Sequence, residues 1–169
     1  MNPFLWILFV CVGLGGSTLY AQGVGASVFS EGHTRLSVAG GYGTWNDHDY
    51  GIAGLGAGYY LMHGFEVGLD GEAWFGNAPH LYALSPGVRY TFYQMDSYKP
   101  YIGGFYRRSM YDRFSPLDSA GGRAGLVTSV SEHTYLSAGI VFEIYFHCDS
   151  SRYGTCSQTY PEIGFAFVY

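Results

Sequence analysis

Basic residues are scarce in this chain. Lys and Arg number 8 against 13 Asp and Glu, a formal net charge of −5. Nucleic acid calls for a basic face, so no nucleic-acid partner is expected. Charge of either sign is also thin, at 12 % of residues, about half the usual quarter. Each charged residue inside a patterned stretch therefore needs a reason for its place. No internal apolar run reaches the length of a transmembrane helix. Cysteine is rare, and its 3 residues form no Cys-x-x-Cys or Cys/His spacing. The six histidines are scattered, mostly at turns. No metal site and no cofactor are expected. At 169 residues the chain is too short for two ordinary domains.

What is abundant is aromatic and small. Aromatics make up 19 % of the chain, beside 26 glycines and 48 % hydrophobic content. Without long apolar runs, this suits a barrel that spreads its apolar residues over alternating strands. The final stretch is the clearest example. Ile163, Phe165, Phe167 and Tyr169 fall on one face at a period of two, and Glu162, Gly164, Ala166 and Val168 on the other. An exposed strand edge this apolar would invite pairing with other chains. In a closed barrel the last strand pairs with the first and the edge disappears.

The N-terminus reads as an export signal. Residues 2–16 are apolar or small, and Leu19-Tyr20-Ala21 precedes Gln22 with a small residue at the expected cut. No Lys or Arg precedes the apolar core, a departure from the usual signal, and the alternative is a membrane anchor. Cys11 lies inside that core and is read as removed, not lipidated. The expected organisation is a cleaved signal at 1–21, a periplasmic lead-in at 22–33 and a barrel at 34–169. Two cysteines then remain, Cys148 and Cys156, and an even count in an exported protein implies one disulfide.

Alternation predicts eight strands: 34–44, 50–62, 65–75, 80–93, 100–111, 119–130, 135–147 and the final stretch from Tyr160. No helix intervenes. The third is the cleanest, with Phe65, Val67, Leu69, Ala73 and Phe75 facing one way and Glu66, Gly68, Asp70, Glu72 and Trp74 the other. Pro86 sits mid-strand in the fourth and predicts a bulge or a gap in the ladder. His63-Gly64, the turn at Gln94 and the turn at Ser131 would lie with the termini on the periplasmic side. The connections at Trp45, Asn77, Asp112 and Cys148 would face outward. The predicted fold is all-β, an eight-stranded antiparallel up-and-down transmembrane β-barrel.

The signal, the eight alternating strands, the opening Lys99-Pro-Tyr-Ile-Gly-Gly104 and the aromatic ending together resemble the small eight-stranded outer-membrane barrels, the OmpA-like and OmpX-like family. The resemblance implies residence in the bacterial outer membrane, contact with its lipid, and a monomer. It implies that Ile163, Phe165, Phe167 and Tyr169 form the C-terminal signal for the barrel-assembly machinery. The family shares a fold more than an activity, so the role is left as structural, surface-interaction or narrow-pore.

Facing puts most strand charge inside: Glu66, Asp70, Glu72, Glu143 and Glu162 against Arg89, Arg107 and Arg123. On a lipid-facing surface each would be costly. Hairpin closure predicts Glu66 opposite Arg89, Arg123 opposite Glu143, and Arg107 beside Arg123. Three readings of such a lumen are open: a salt-bridge plug, a gate whose pairs swap to open an ion path, and paired acids of an enzyme. The last needs a substrate cleft that a filled barrel lacks, and no enzymatic activity is expected. Two rival classes stand beside the barrel. A lipid-modifying barrel enzyme would use His147 with Ser150 or Ser151 and Asp149, which adjoin in sequence without forming a triad. A soluble lipocalin-like barrel is suggested by Gly43-Thr44-Trp45, but such a barrel puts its apolar residues inside.

Overall fold

The computed structural model describes residues 28–45, 48–76, 81–111, 116–148 and 156–169. Eight strands follow one another in the chain: β1 Thr34–Trp45, β2 His48–Met62, β3 Phe65–Gly76, β4 Leu81–Thr91, β5 Lys99–Tyr111, β6 Leu117–Ser131, β7 Thr134–Tyr145 and β8 Ser157–Val168. Each pairs antiparallel with its sequence neighbours, and β8 returns to β1 to close the barrel. The closing seam carries seven register pairs, from Arg35 opposite Val168 to Gly41 opposite Glu162. Thr34 and Tyr169 exchange backbone hydrogen bonds of 2.8 and 3.0 Å below it. The last strand therefore has no free edge. Its start, at Ser157, lies three residues ahead of the expected Tyr160.

Period-two alternation decides the two faces. Leu36, Val38, Leu55, Leu69, Val88, Ile102, Leu126, Ile140 and Ile163 stand exposed on the outer wall. Exposed aromatics band that wall at both ends: Tyr59, Phe92, Phe167 and Tyr169 at the end with the short turns, and Tyr42, Phe75, Tyr82, Tyr106 and Phe146 at the other. An apolar band between two aromatic girdles is the surface that a bilayer requires. Among the described strand residues, the outer wall carries charge only at Asp49, Arg108 and Asp118. All three lie at the loop end, and Arg108 approaches Asp118 at 3.8 Å. Apolar outside and charged inside is the reverse of a lipocalin, and Gly43-Thr44-Trp45 closes β1 instead of opening the fold.

The short turns sit where the sequence places them. His63-Gly64 turns with Gly64 at φ 78°, a left-handed conformation that only glycine adopts without strain. Pro86 leaves a gap, not a bulge. Leu84 pairs with Arg108 and Gly87 with Phe105 in one unbroken register, and only the pairs at Ser85 and Pro86 are missing. Proline has no N–H to give the ladder. True register shifts occur elsewhere, between Tyr60 and Met62 and between Ser129 and Ser131.

The lead-in has more structure than its sequence pattern suggests. Residues 28–33 fold into the mouth at the turn end, with Val28 and Phe29 buried. The expected signal at 1–21 lies outside the described residues.

Candidate functional site: the barrel lumen

The lumen is layered along the barrel axis. At the turn end Phe29, Tyr60, Tyr101, Val127, Tyr135 and Val168 form an apolar, aromatic layer. At the loop end Tyr50, Ile52, Trp74, Leu81, Leu117 and Tyr145 form a second. Between them lie four arginines, Arg35, Arg89, Arg107 and Arg123, and five carboxylates, Glu66, Asp70, Glu72, Glu143 and Glu162. Phe105 divides this charged zone. Its ring takes the Arg107 guanidinium at 4.8 Å and that of Arg123 at 5.0 Å, close enough for cation–π attraction on both.

The cluster nearer the loops centres on Arg107, which is 1 % exposed. Its Nε donates to Ser85 Oγ at 2.9 Å. Its Nη1 donates to Glu143 Oε2 at 2.7 Å and to Tyr160 Oη at 2.6 Å. Its Nη2 donates to Glu72 Oε1 at 2.5 Å. The carboxylates have further donors: Ser119 Oγ and Gln158 Nε2 reach Glu143, and Trp74 Nε1 reaches Glu72 at 3.2 Å. One guanidinium thus satisfies two buried acids from strands on opposite walls, as a buried charge must be satisfied to be tolerated.

The cluster nearer the turns is looser. Arg35 Nε donates to Glu66 Oε1 at 2.7 Å, and its Nη2 to Asp70 Oδ1 at 3.2 Å. Arg123 Nη1 donates to Asp70 Oδ2 at 3.1 Å and lies 3.5 Å from Glu162 Oε2. Arg89 has no carboxylate within salt-bridge distance among the described residues; its guanidinium lies 4.9 Å over the Tyr101 ring. Glu66 Oε2 and Arg123 Nη2 are buried without a hydrogen-bond partner among the described residues. Small voids border Arg35, Asp70, Arg89 and Arg123.

Of the three registers expected from hairpin closure, one is found and two are not. Glu66 does stand opposite Arg89 in the β3–β4 ladder, yet its carboxylate turns the other way, to Arg35. The reason lies in β2. Gly58 and Gly56 occupy the inward positions between β1 and β3, and a Cβ on either would collide with the Glu66 or Asp70 carboxylate. The glycines form a trough through which two acids of β3 reach the arginine of β1. Arg123 stands opposite Val141, and Gly121 opposite Glu143. The hairpin closes about Glu132, with Ser131 opposite Thr134 and Ser129 opposite Tyr135, and this closure sets Arg123 two residues away from Glu143. Arg107 stands opposite Ser119, and Arg123 opposite Gly103, because β6 already begins at Leu117. Arg123 is thus no partner of Arg107 or Glu143; its acids are Asp70 and Glu162.

Arg35 is the residue the sequence reading omits. The parity that sends Ser37, Ala39 and Gly41 inward sends Arg35 inward too, so the signal was present one step before the patterned stretch. At the loop end, Cys148 and Cys156 form a disulfide with Cα atoms 5.6 Å apart. His147 precedes it in a turn; Asp149, Ser150 and Ser151 lie outside the described residues. Among the described residues no group of His, Cys, Asp or Glu could hold a metal. Ile163, Phe167 and Tyr169 line the outer wall of β8, with Phe165 beside them at 5.0 Å from the Phe167 ring.

No family model matches this sequence, and no curated protein matches it. Solved structures do. The N-terminal β-barrel domain of Pseudomonas aeruginosa OprF superposes with a TM-score of 0.65 at 15 % identity, covering 82 % of this chain and 98 % of that one. Neisserial surface protein A superposes at 0.61 and 15 %, covering 80 % and 95 %. Ail, the attachment invasion locus protein of Yersinia pestis, gives 0.50 and 12 %, covering 82 % and 99 %. At such identities the likeness speaks for architecture. With its closed antiparallel ladder, its apolar outer wall and these neighbours, the chain has the fold of the small eight-stranded outer-membrane β-barrels.

Proposed function

We propose that this protein resides in a bacterial outer membrane and works there as a structural or surface-interaction barrel with a filled lumen. The observation that carries the reading is the sorting of side chains. The outer wall presents an apolar band between aromatic girdles, while the interior is packed with charge capped by an apolar layer at each end. The names of two neighbours, a surface protein and an attachment invasion locus protein, point to the same kind of role.

Several finer readings belong to this proposal. Residues 1–21 are an export signal removed on the way out. The outward row Ile163, Phe165, Phe167 and Tyr169 is what the barrel-assembly machinery engages. The barrel acts as a monomer in contact with lipid, carries out no catalysis and binds no cofactor. The voids beside Arg35, Arg89 and Arg123 favour a second reading, a thin ion path through the looser cluster.

Two measurements test this. Protein extracted from outer-membrane fractions should migrate differently on gels when heated and unheated; a single heat-insensitive band in soluble fractions would overturn the proposal. The same band should be lost when Phe167 and Tyr169 are both changed to Ser. Planar-bilayer recordings then separate the two readings: silent membranes support the plug, and steady unit currents support the path.

A further inference from the structure

The segment ahead of β1 is seated in the barrel as a ligand would be. Phe29 is fully buried. Its ring meets Tyr60 edge-on at 6.0 Å and Tyr135 at 5.3 Å, with Val28 buried beside it against the same layer. Backbone hydrogen bonds hold the segment on the β2–β3 hairpin. Gly64 N–H donates to the Phe29 carbonyl at 2.8 Å, and Gly32 N–H to the Tyr60 carbonyl at 2.9 Å. Tyr60 N–H donates in turn to the His33 carbonyl at 3.0 Å. Side-chain anchoring in a pocket with main-chain bonds to a strand end is how folded domains hold extended peptides.

The barrel does not need this segment for its ladder. The β1–β8 seam, the Thr34–Tyr169 bonds and the β1–β2 pairs from Thr34 onward are all complete without it. The segment does cover the lumen. One inward step above Tyr135 on β7 stands Ser137, and Ser137 and Tyr135 both border the void beside Arg35, Asp70 and Arg89. Phe29 thus lies between the looser charge cluster and the water at the turn-end mouth.

We propose that the turn-end mouth is a binding site for an aromatic side chain presented on a short peptide, filled in cis by Val28-Phe29, and that this segment is a removable stopper for the lumen. The seat selects by chemistry: a flat ring to lie among Tyr60 and Tyr135, and a carbonyl to accept from Gly64. Gly32 is the hinge of the stopper. It sits at φ 88°, and a Cβ added there would meet nothing within 4 Å, so a β-branched residue strains the backbone without a clash at its Cβ.

The test reads access to the lumen. Ser137→Cys provides a reporter thiol in the purified barrel with the Cys148–Cys156 bond intact. Its rate of labelling by a small anionic thiosulfonate is measured with the stopper native, with Phe29→Ala and with Gly32→Val. Both variants should accelerate labelling by about tenfold or more, as expected when a local opening free energy falls by about 1.4 kcal/mol or more. A free peptide of sequence Val-Phe-Ser-Glu-Gly-His, added at millimolar concentration, should restore protection in the Phe29→Ala variant. The same peptide with Ala for Phe should not. Equal rates in all three proteins would overturn the stopper, and acceleration that the peptide leaves unchanged would overturn the binding site. Should Phe29→Ala lose its heat-modifiable band, Gly32→Val, which leaves the seat untouched, carries the measurement. Either result is independent of where in the cell the barrel resides.

Discussion

The two halves of the charged lumen use the same residue types and arrive at opposite qualities of fit. Around Arg107, one guanidinium meets two acids, and all four of its side-chain acceptors, Ser85 and Tyr160 included, lie within 2.9 Å. Around Asp70, three arginines meet three acids, yet Arg89 has only a ring, and Glu66 and Arg123 each keep a buried atom without a protein partner among the described residues. Numerical balance of charge is therefore a poor guide to how tightly a lumen is held. What differs is neighbouring hydrogen-bond capacity. Ser85, Ser119, Gln158, Trp74 and Tyr160 surround the tight cluster with donors and acceptors, whereas the loose one has Ser37 on Arg35 and, along β2 and β3, glycines 56, 58 and 68. Satisfaction of the remaining lone pairs decides whether a buried ion pair stabilises or strains.

The comparison is broken most forcefully at its tight end. Replacing Arg107 with Met keeps most of the side-chain volume and strands Glu72 and Glu143 in an apolar surround. We expect a loss of about 3–5 kcal/mol, measured by reversible unfolding in lipid bilayers. A loss below about 1 kcal/mol, the size of an exposed pair, would mean that this cluster is no tighter than the other.

The next effect in size sharpens the pairing itself. A double-mutant cycle of Arg107→Met and Glu143→Gln should give coupling of about 1–3 kcal/mol, and the cycle of Arg123→Met with Glu143→Gln should give coupling near zero. The reverse pattern would restore the simple hairpin closure and contradict the register shift in β6–β7.

The smallest effect is expected at Arg89. Arg89→Met removes a cation–π contact with Tyr101 and no carboxylate partner, so unfolding should shift by only about 0.5–2 kcal/mol. A loss as large as that of Arg107→Met would show that Arg89 shares Glu66 in solution, and the contrast between the clusters would collapse.

Much of this was legible from residues. Glu66, Asp70, Glu72 and Trp74 go inward by parity alone, and Phe165 and Phe167 belong to the outer wall by the same rule. Even the Glu66–Arg89 register follows from counting around Asn77. The partners were not legible, for two physical reasons. One is that a lumen lets side chains cross a strand, so the acid of β3 finds the arginine of β1 over a glycine of β2, and cross-strand counting never considers that pair. The other is that hairpin register depends on turn geometry. Closure about Glu132 sets Arg123 two residues from Glu143, and an offset of two leaves both on the inward face. The seat of Phe29 was hidden for a third reason: a single aromatic in an unpatterned stretch gives no periodicity to read.

The glycine trough carries one more consequence. Because Gly54, Gly56 and Gly58 repeat at the period of the strand, sliding β1 along β2 by two residues would still meet small residues inward and Ala53, Leu55 and Ala57 outward. Shape and polarity scarcely distinguish that misaligned barrel from the native one. The Arg35–Glu66 and Arg35–Asp70 contacts do distinguish it, because they fix the relative height of β1 and β3 across the ambiguous strand between them. In a membrane, where apolar sorting is blind to such a slip, these ion pairs act as an error-checking code for alignment.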